Sequence, residues 1–263
     1  MFLIAEAGVN HDGKLDNALR LADAAKAAGA DMVKYQFFDS QRLWGDDRIK
    51  HLELRFDDFV QIHRYCENIG IEFGCTAFGV AELTMLRPLL KRVKIASGMM
   101  TRTPFLKAVA DTKLPVLLST GMSTLDEVRT ALSELGHNLP VNFGDRSITI
   151  LQCTSSYPCR LEDVHLRILE TYKSHFHRRC PIGLSDHTTS ITVPIAAAAL
   201  GASVIEKHFT LDREAAGPDH RASITPREFK AMQIAIIEVE AAMGDGIKRV
   251  LPCEEALRKA WHK

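Results

Sequence analysis

Two histidines close short apolar runs in the C-terminal third of the chain. His187 ends PIGLSDH with Asp186 beside it, and His208 ends SVIEKH with Glu206 two residues before it. A lone histidine on a strand is ordinarily a hydrogen-bonded core residue. Two on adjacent strand tips, each near a carboxylate, read instead as a metal or anion site. Imidazole nitrogen with carboxylate and water oxygen suits manganese, iron, cobalt or zinc, and two histidines alone leave positions open to a substrate.

Two lysines pose a second problem. Lys34 in MVKYQF and Lys94 in VKIASG sit inside apolar runs, and a buried ammonium is costly unless an anion meets it. A bound phosphate or carboxylate would do so, with the hydroxyls of Thr76, Ser97, Ser119 and Ser185 as further donors. The competing explanation is a closed internal network with Glu6, Glu206 or Asp186. Gln36, Thr120 and Thr154 to Tyr157 fall at similar positions, and His11 and His220 follow strand runs at the same rim. His51, His63, His137, His165, His175, His177 and His262 fall in an insert, on helical patterns or in the tail, where a solvated face accounts for them.

These residues need elements that present them together. FLIAEAG followed by LDNALRLADAAKAAGA is an apolar strand pattern and then a helical one. The unit returns with DMVKYQFF, IEFGCTAF, VKIASG, PVLLSTG, ITILQCTSSYP, PIGLSDH and ASVIEKHF, each followed by a helical pattern. Ser123 or Thr124 with an acid soon after reads as a helix cap. Eight βα units with near-continuously apolar strands predict an α/β fold, a (β/α)8 TIM barrel, whose active site lies at the C-terminal strand ends. An open doubly wound sheet is the alternative, but GVNHDG after the first strand does not fit GxGxxG. Residues 40–55, SQRLWGDDRIKHLELR, are the longest irregular piece, either a lid beside the mouth or a surface excursion.

The 263 residues suit one domain, a catalytic barrel spanning 1–263 with a tail at 244–263. With 33 basic and 33 acidic side chains, no net charge steers the protein to nucleic acid or membrane, so a small-molecule partner is expected. The N-terminus lacks a signal-peptide pattern, and a cytoplasmic location is the expectation. The six cysteines show no CxxC pair and are expected as thiols, Cys75 and Cys153 near strand ends.

IAEAGVNHDG, VKYQ, KIASG, LSTGM, CTSSYP, GLSDHT, EKHFT and GPDHRAS stand in order over nearly the whole chain. Together they resemble the sialic acid synthase family, which includes N-acetylneuraminate, legionaminate and pseudaminate synthases. The resemblance implies a metal-dependent condensation of phosphoenolpyruvate with an open-chain aldose, an aminosugar such as N-acetylmannosamine, giving a 2-keto-3-deoxy sugar acid and phosphate. It implies manganese, held by His187 and His208, and a likeness of Lys34, Thr76, Lys94, Ser97, Ser119 and Ser185 to the phosphoenolpyruvate cradle. Glu6, Gln36, Tyr157, Glu206 and Asp219 look like groups near the sugar, with Lys34 and Lys94 catalytic as well as binding, and Glu6 or Glu206 handling the proton of water.

The chain departs from the family pattern in three places. Met99 stands where an acid often contacts the sugar, and CTSSYPCR has Ser155 and Cys159 at positions where asparagine and threonine occur. Two-domain members continue into an antifreeze-like domain that caps the sugar site of a homodimer. The expectations are an open mouth, a cap from a separate protein, or a cap lying outside this sequence, and an acceptor other than N-acetylmannosamine.

Overall fold

The computed structural model describes residues 1–136, 148–176 and 180–261, and within it the apolar runs are strands. They are β1 (Phe2–Gly8), β2 (Met32–Phe37), β3 (Glu72–Ala77), β4 (Val93–Ile95), β5 (Val116–Ser119), β6 (Ile148–Cys153), β7 (Ile182–Asp186) and β8 (Val204–His208). They pair in chain order, and β8 closes in parallel onto β1, so the sheet is a barrel. Around it run α1 (Leu15–Ala28), α2 (Ser40–Trp44), α3 (Phe56–Ile69), α4 (Val80–Leu86), α5 (Thr103–Asp111), α6 (Leu125–Glu134), α7 (Ile168–Phe176), α8 (Thr192–Ala199) and α9 (Pro226–Met243). Thr124, not Ser123, caps α6, accepting from Glu127 N while Glu127 Oε2 accepts from Thr124 N. Thr225 and Glu228 repeat that box at α9, with Pro226 in its first turn. The tail carries α10 (Glu255–Trp261), and residues 244–261 are exposed throughout.

Strand side chains alternate between the helix layer and the barrel interior. Leu3, Ala5, Ala7, Val33, Tyr35, Leu118, Leu184 and Ile205 face outward into the main core. Ile4, Met32, Leu117, Leu151 and Val204 face inward and form a separate apolar plug. Two residues further along the same strands come Glu6, Lys34, Ser119, Cys153 and Glu206, so the interior changes from apolar to charged within one step. Register aligns the charged layer: Glu6 pairs with Lys34, Thr76 with Lys94, and Ser185 with Glu206.

The same parity corrects part of the predicted rim. Asp186 lies between inward-facing Ser185 and His187 and so points outward, where its Oδ2 is 2.6 Å from Lys207 Nζ. Thr120 donates to Leu151 O and accepts from Tyr172, while Thr154 donates to Asp163 O. His11 is fully buried and accepts from Gly13 N through Nδ1. His220 binds Thr210 through Nδ1 and Asp12 through Nε2. Neither histidine reaches the mouth. His51, His165 and His175 are exposed and His63 half-buried; His137, His177 and His262 lie outside the described residues.

Two stability predictions follow from these buried groups. Lys207 is 0% exposed and its removal strands the Asp186 carboxylate. Lys207→Met should therefore lower the unfolding free energy by about 3–5 kcal/mol in a urea titration. Burial holds His11 down at about 4 against an ordinary value of 6.5, Asp12 opposing only in part. The unfolded chain then binds the extra proton between those values. The resulting stability, about 3 kcal/mol, is complete above pH 6.5 and is lost as pH falls toward 4. His11→Gln should flatten the melting-temperature profile over that window; an unchanged slope refutes the assignment.

Candidate active site

A cavity of about 510 Å³ opens at the C-terminal ends of the strands, within the range of ligand sites. Its lining contains the residues that the family resemblance assigned to catalysis, substrates and metal: Glu6, Lys34, Gln36, Thr76, Lys94, Ser97, Ser119, Tyr157, Ser185, His187, Glu206, His208 and Asp219. Ser155, within the Thr154 to Tyr157 run read at the rim, lines it too, and the 40–55 segment, posed as a lid or a surface excursion, contributes Leu43, Arg48, Ile49 and Leu52; Val9, Phe38 and Phe78 were not singled out from sequence. Cys153 was expected near a strand end, and it reaches the cavity because it shares the inward parity of Leu151.

The floor is a network of charges. Lys34 Nζ lies 2.6 Å from Glu6 Oε2 and 3.5 Å from Glu206 Oε2 and donates to Thr76 Oγ1 at 3.0 Å. Lys94 Nζ donates to Ser119 Oγ at 2.7 Å and lies 3.5 Å from Glu206 Oε1. Ser185 donates to Glu206 Oε1 at 2.7 Å, and Gln36 Nε2 donates to Glu6 Oε1 at 3.0 Å. The internal network posed as the alternative to a ligand therefore exists.

That network does not treat its members alike. Burial would raise Glu206, but Lys34 and Lys94 outweigh it and hold the carboxyl at about 2. Burial pushes Glu6 up, with Lys34 only partly opposing and Glu206 adding to the rise. Burial would lower Lys34, yet Glu206 and Glu6 keep it above its ordinary value. Lys94 is lowered, because burial exceeds the help it draws from Glu206. Positive charge is thus least compensated at Lys94, on the side where Ser119 and Ser97 stand.

Above the floor, the His187 and His208 rings lie edge to face, centroids 5.3 Å apart, and Tyr157 stacks on His187 at 4.1 Å. His187 Nδ1 is 2.7 Å from Thr154 O; a carbonyl only accepts, so Nδ1 carries a proton, and in the neutral ring the lone pair is on Nε2. His208 Nδ1 is buried without a hydrogen-bond partner, 3.8 Å from Asp219 Oδ2. Burial depresses the His208 imidazole well below its usual range, which keeps the neutral form that binds metals. Burial raises Asp219.

No group of three His, Cys, Asp or Glu among the described residues forms a complete metal cage. The two imidazoles nevertheless fit a divalent ion that keeps open positions, since one has its tautomer fixed from behind and the other has an orphaned nitrogen. The supporting partners differ from those expected: Thr154 O serves His187 where Asp186 was proposed, and Asp219 rather than a β8 carboxylate stands by His208.

Met99 requires a further correction. The chain leaves β4 in a tight turn over Ser97–Met99 that turns Ser97 into the cavity and buries Met99, 2% exposed, in the barrel-to-helix core. Its side chain does not reach the mouth. Ser97 is held by Gly121 N at 3.1 Å, and a Cβ on Gly121 would fall 2.3 Å from Ser155 Oγ and 2.9 Å from Ser97 Oγ. Only glycine permits this close approach.

The comparisons with known proteins identify the family of the chain. The model of the NeuB family matches residues 21–248. A Methanocaldococcus jannaschii protein named only as uncharacterized is 42% identical, covering 96% of this chain and 75% of its own length. The N,N'-diacetyllegionaminic acid synthase of Legionella pneumophila is 39% identical over 94% of this chain and 74% of the synthase. The crystal structure of the N-acetylneuraminic acid synthetase of Leptospira borgpetersenii, in complex with citrate, superposes with a TM-score of 0.90 at 32% identity, covering 100% of this chain and 92% of that one. With a family model across most of its length and synthases at this level of identity, the chain belongs to the NeuB family and is an enzyme of the sialic acid synthase type.

Proposed function

We propose that the protein condenses phosphoenolpyruvate with the open-chain aldehyde form of an N-acylated aminosugar, releasing phosphate and a 2-keto-3-deoxy sugar acid. The observation that carries this reading is the uneven charge network. Lys34 and Lys94 share one firmly ionised carboxylate, and the surplus positive charge at Lys94 sits among the hydroxyls of Thr76, Ser97, Ser119 and Ser185. A small phosphorylated acid supplies the anion this arrangement lacks.

In the reaction, C3 of phosphoenolpyruvate forms a bond to the aldehyde carbon, whose oxygen takes up a proton and becomes a hydroxyl. Positive charge develops at C2, where the ionised Glu206 stabilises it. Water adds to C2 and gives up a proton. The C2–O bond to phosphate then breaks, the electron pair leaving with phosphate, and the C2 hydroxyl loses its proton to leave the ketone.

Glu6 and Glu206 were both candidates for the water proton. Their environments favour Glu6: Lys34 and Lys94 keep Glu206 ionised, whereas burial raises Glu6 above its ordinary value, as suits a group that takes up a proton. Gln36 fixes the Glu6 carboxyl in place. Tyr157 and Asp219 stand over the histidines and orient the sugar. His187 and His208 hold a divalent ion, manganese in our reading, which when bound supplies Lewis acidity at the acceptor's carbonyl oxygen. The same reading places the enzyme in the cytoplasm as a homodimer. Among the described residues no helix is long and apolar enough to cross a membrane.

The test is phosphate release from phosphoenolpyruvate in the presence of manganese against a panel of aldoses, with products identified by mass. A product heavier than the acceptor by pyruvate is expected, and no release with any sugar defeats the proposal. Chelation should abolish turnover and added Mn2+ restore it, whereas His208→Ala should bind no stoichiometric metal by elemental analysis. Glu6→Gln should lower kcat by about 10²–10⁴ with the KM for phosphoenolpyruvate little changed. Lys94→Met should instead weaken phosphoenolpyruvate binding by roughly 30-fold or more.

A further inference from the structure

Asp219 lines the cavity from the loop that follows β8, yet among the described residues no hydrogen bond to its carboxylate fixes it there. Its Oδ2 lies 3.8 Å from His208 Nδ1, beyond bonding distance. A Cβ on Gly8, whose φ is +54°, would come only 3.0 Å from that oxygen, so the carboxylate packs directly on the end of β1. The place of this charge is therefore set by the main chain that carries it.

That main chain is held by buried side chains. The neck of the loop is closed where Ile224 N donates to His208 O at 2.8 Å and Thr210 N donates to Ile224 O at 3.0 Å. Beyond the neck, Asn10 Nδ2 donates to Phe209 O at 3.0 Å and to Ser223 Oγ at 2.9 Å, and Ser223 Oγ in turn donates to Asp219 O at 2.7 Å. One amide thus ties the residue after His208 to the hydroxyl that grips Asp219. A second strap runs through His220, whose Nδ1 is 2.7 Å from Thr210 Oγ1 and whose Nε2 is 3.1 Å from Asp12 Oδ1. Gly217 leaves room for the ring, since a Cβ there would fall 2.6 Å from His220 Cδ2. Asn10, Thr210, His220 and Ser223 are all buried, so water does not compete for these bonds. None of the four lines the cavity. Both straps cross the seam where β8 closes onto β1, so they fix Asp219 relative to Glu6 and His208 at the ends of those strands.

We propose that Asn10, Thr210, His220 and Ser223 are positioning residues: a clasp across the seam of the barrel that holds the Asp219 carboxylate where it orients the acceptor. The inference rests on the condensation proposed above and on the part Asp219 plays in it. A displacement of about 1 Å at such a group is enough to cost on the order of 100-fold in rate.

The test uses Ser223→Ala and Thr210→Val, which cut one strap each with little change of shape, and the aldose of the panel above that turns over fastest. Each variant should lower kcat/KM for the aldose by roughly 10- to 100-fold while leaving the KM for phosphoenolpyruvate within about twofold. Tyr172→Phe, which removes a buried hydrogen bond to Thr120, serves as a control for loss of stability alone and should leave both KM values unchanged. In an Asp219→Ala background, adding Ser223→Ala should cost no more than about a further twofold, because the clasp acts only through Asp219. Losses that multiply, or a KM for phosphoenolpyruvate that rises as much as that of the aldose, overturn the proposal. Amide hydrogen exchange gives a readout independent of turnover. The amides of Ala222 and Ser223, which donate to Asp219 O and His220 O, should exchange faster in both variants while β7 and β8 stay protected, and unchanged exchange refutes the clasp. Faster exchange together with an Asp219→Ala enzyme of undiminished activity leaves the clasp standing, and in that case it is the assignment of Asp219 to the sugar that has failed.

Discussion

The site depends on a buried cluster of two ammonium and two carboxyl groups above an apolar plug. Glu6, Lys34, Lys94 and Glu206 are each nearly inaccessible, and none would be tolerable there alone. Glu206 is the shared member, within 3.5 Å of both lysines and bonded by Ser185. Such a cluster is poor at stabilising a fold, because desolvation offsets much of its Coulomb attraction. Its value lies in preorganisation: donors are already oriented where an anion would arrive, and they need no reorganisation when charge develops.

The fold was legible because a parallel barrel writes each strand as a short apolar run followed by a helix, and this chain repeats that unit with few interruptions. The floor of the site was legible for a related reason. A lysine inside an apolar run, as at Lys34 and Lys94, is conspicuous because burying it uncompensated is so costly. Parity was harder to read. Ser185, Asp186 and His187 are consecutive, and sequence alone made Asp186 a companion of His187; one step of the strand turned it outward to Lys207, and Thr120 and Thr154 were misplaced by the same one-residue difference.

The histidine pair shows where reading by neighbours along the chain fails. What fixes a ring nitrogen is whatever the fold brings against it, and for His187 that is the carbonyl of Thr154 on the adjacent β6–α7 connection. For His208 no such bond forms: the carboxylate brought nearest to Nδ1 is that of Asp219, eleven residues on and 3.8 Å away, in a loop held by Asn10 Nδ2 to Phe209 O and Ser223 Oγ and by His220 to Asp12. Of the two histidines left over from the sequence analysis, His220 ties the last connection of the barrel to the first through Asp12, whereas His11 packs within the first connection, against Gly13, Asn17 and Tyr35.

The acceptor side was the least legible, and for a physical reason. Comparison of motifs directed attention to Met99, because an acid is common at that position, but a residue's place in a motif does not say which way a tight turn will point it. Meanwhile the segment at 40–55 has no regular periodicity, so nothing in its pattern distinguished a lid from a surface excursion. Its fate is decided by tertiary anchoring: Ser40 is bridged to Glu53 across thirteen residues, Arg42 to Glu82, and His51 lies against a glycine of the first turn. Those bonds draw Leu43, Ile49 and Leu52 over the mouth and make an otherwise featureless stretch the outer wall of the cavity.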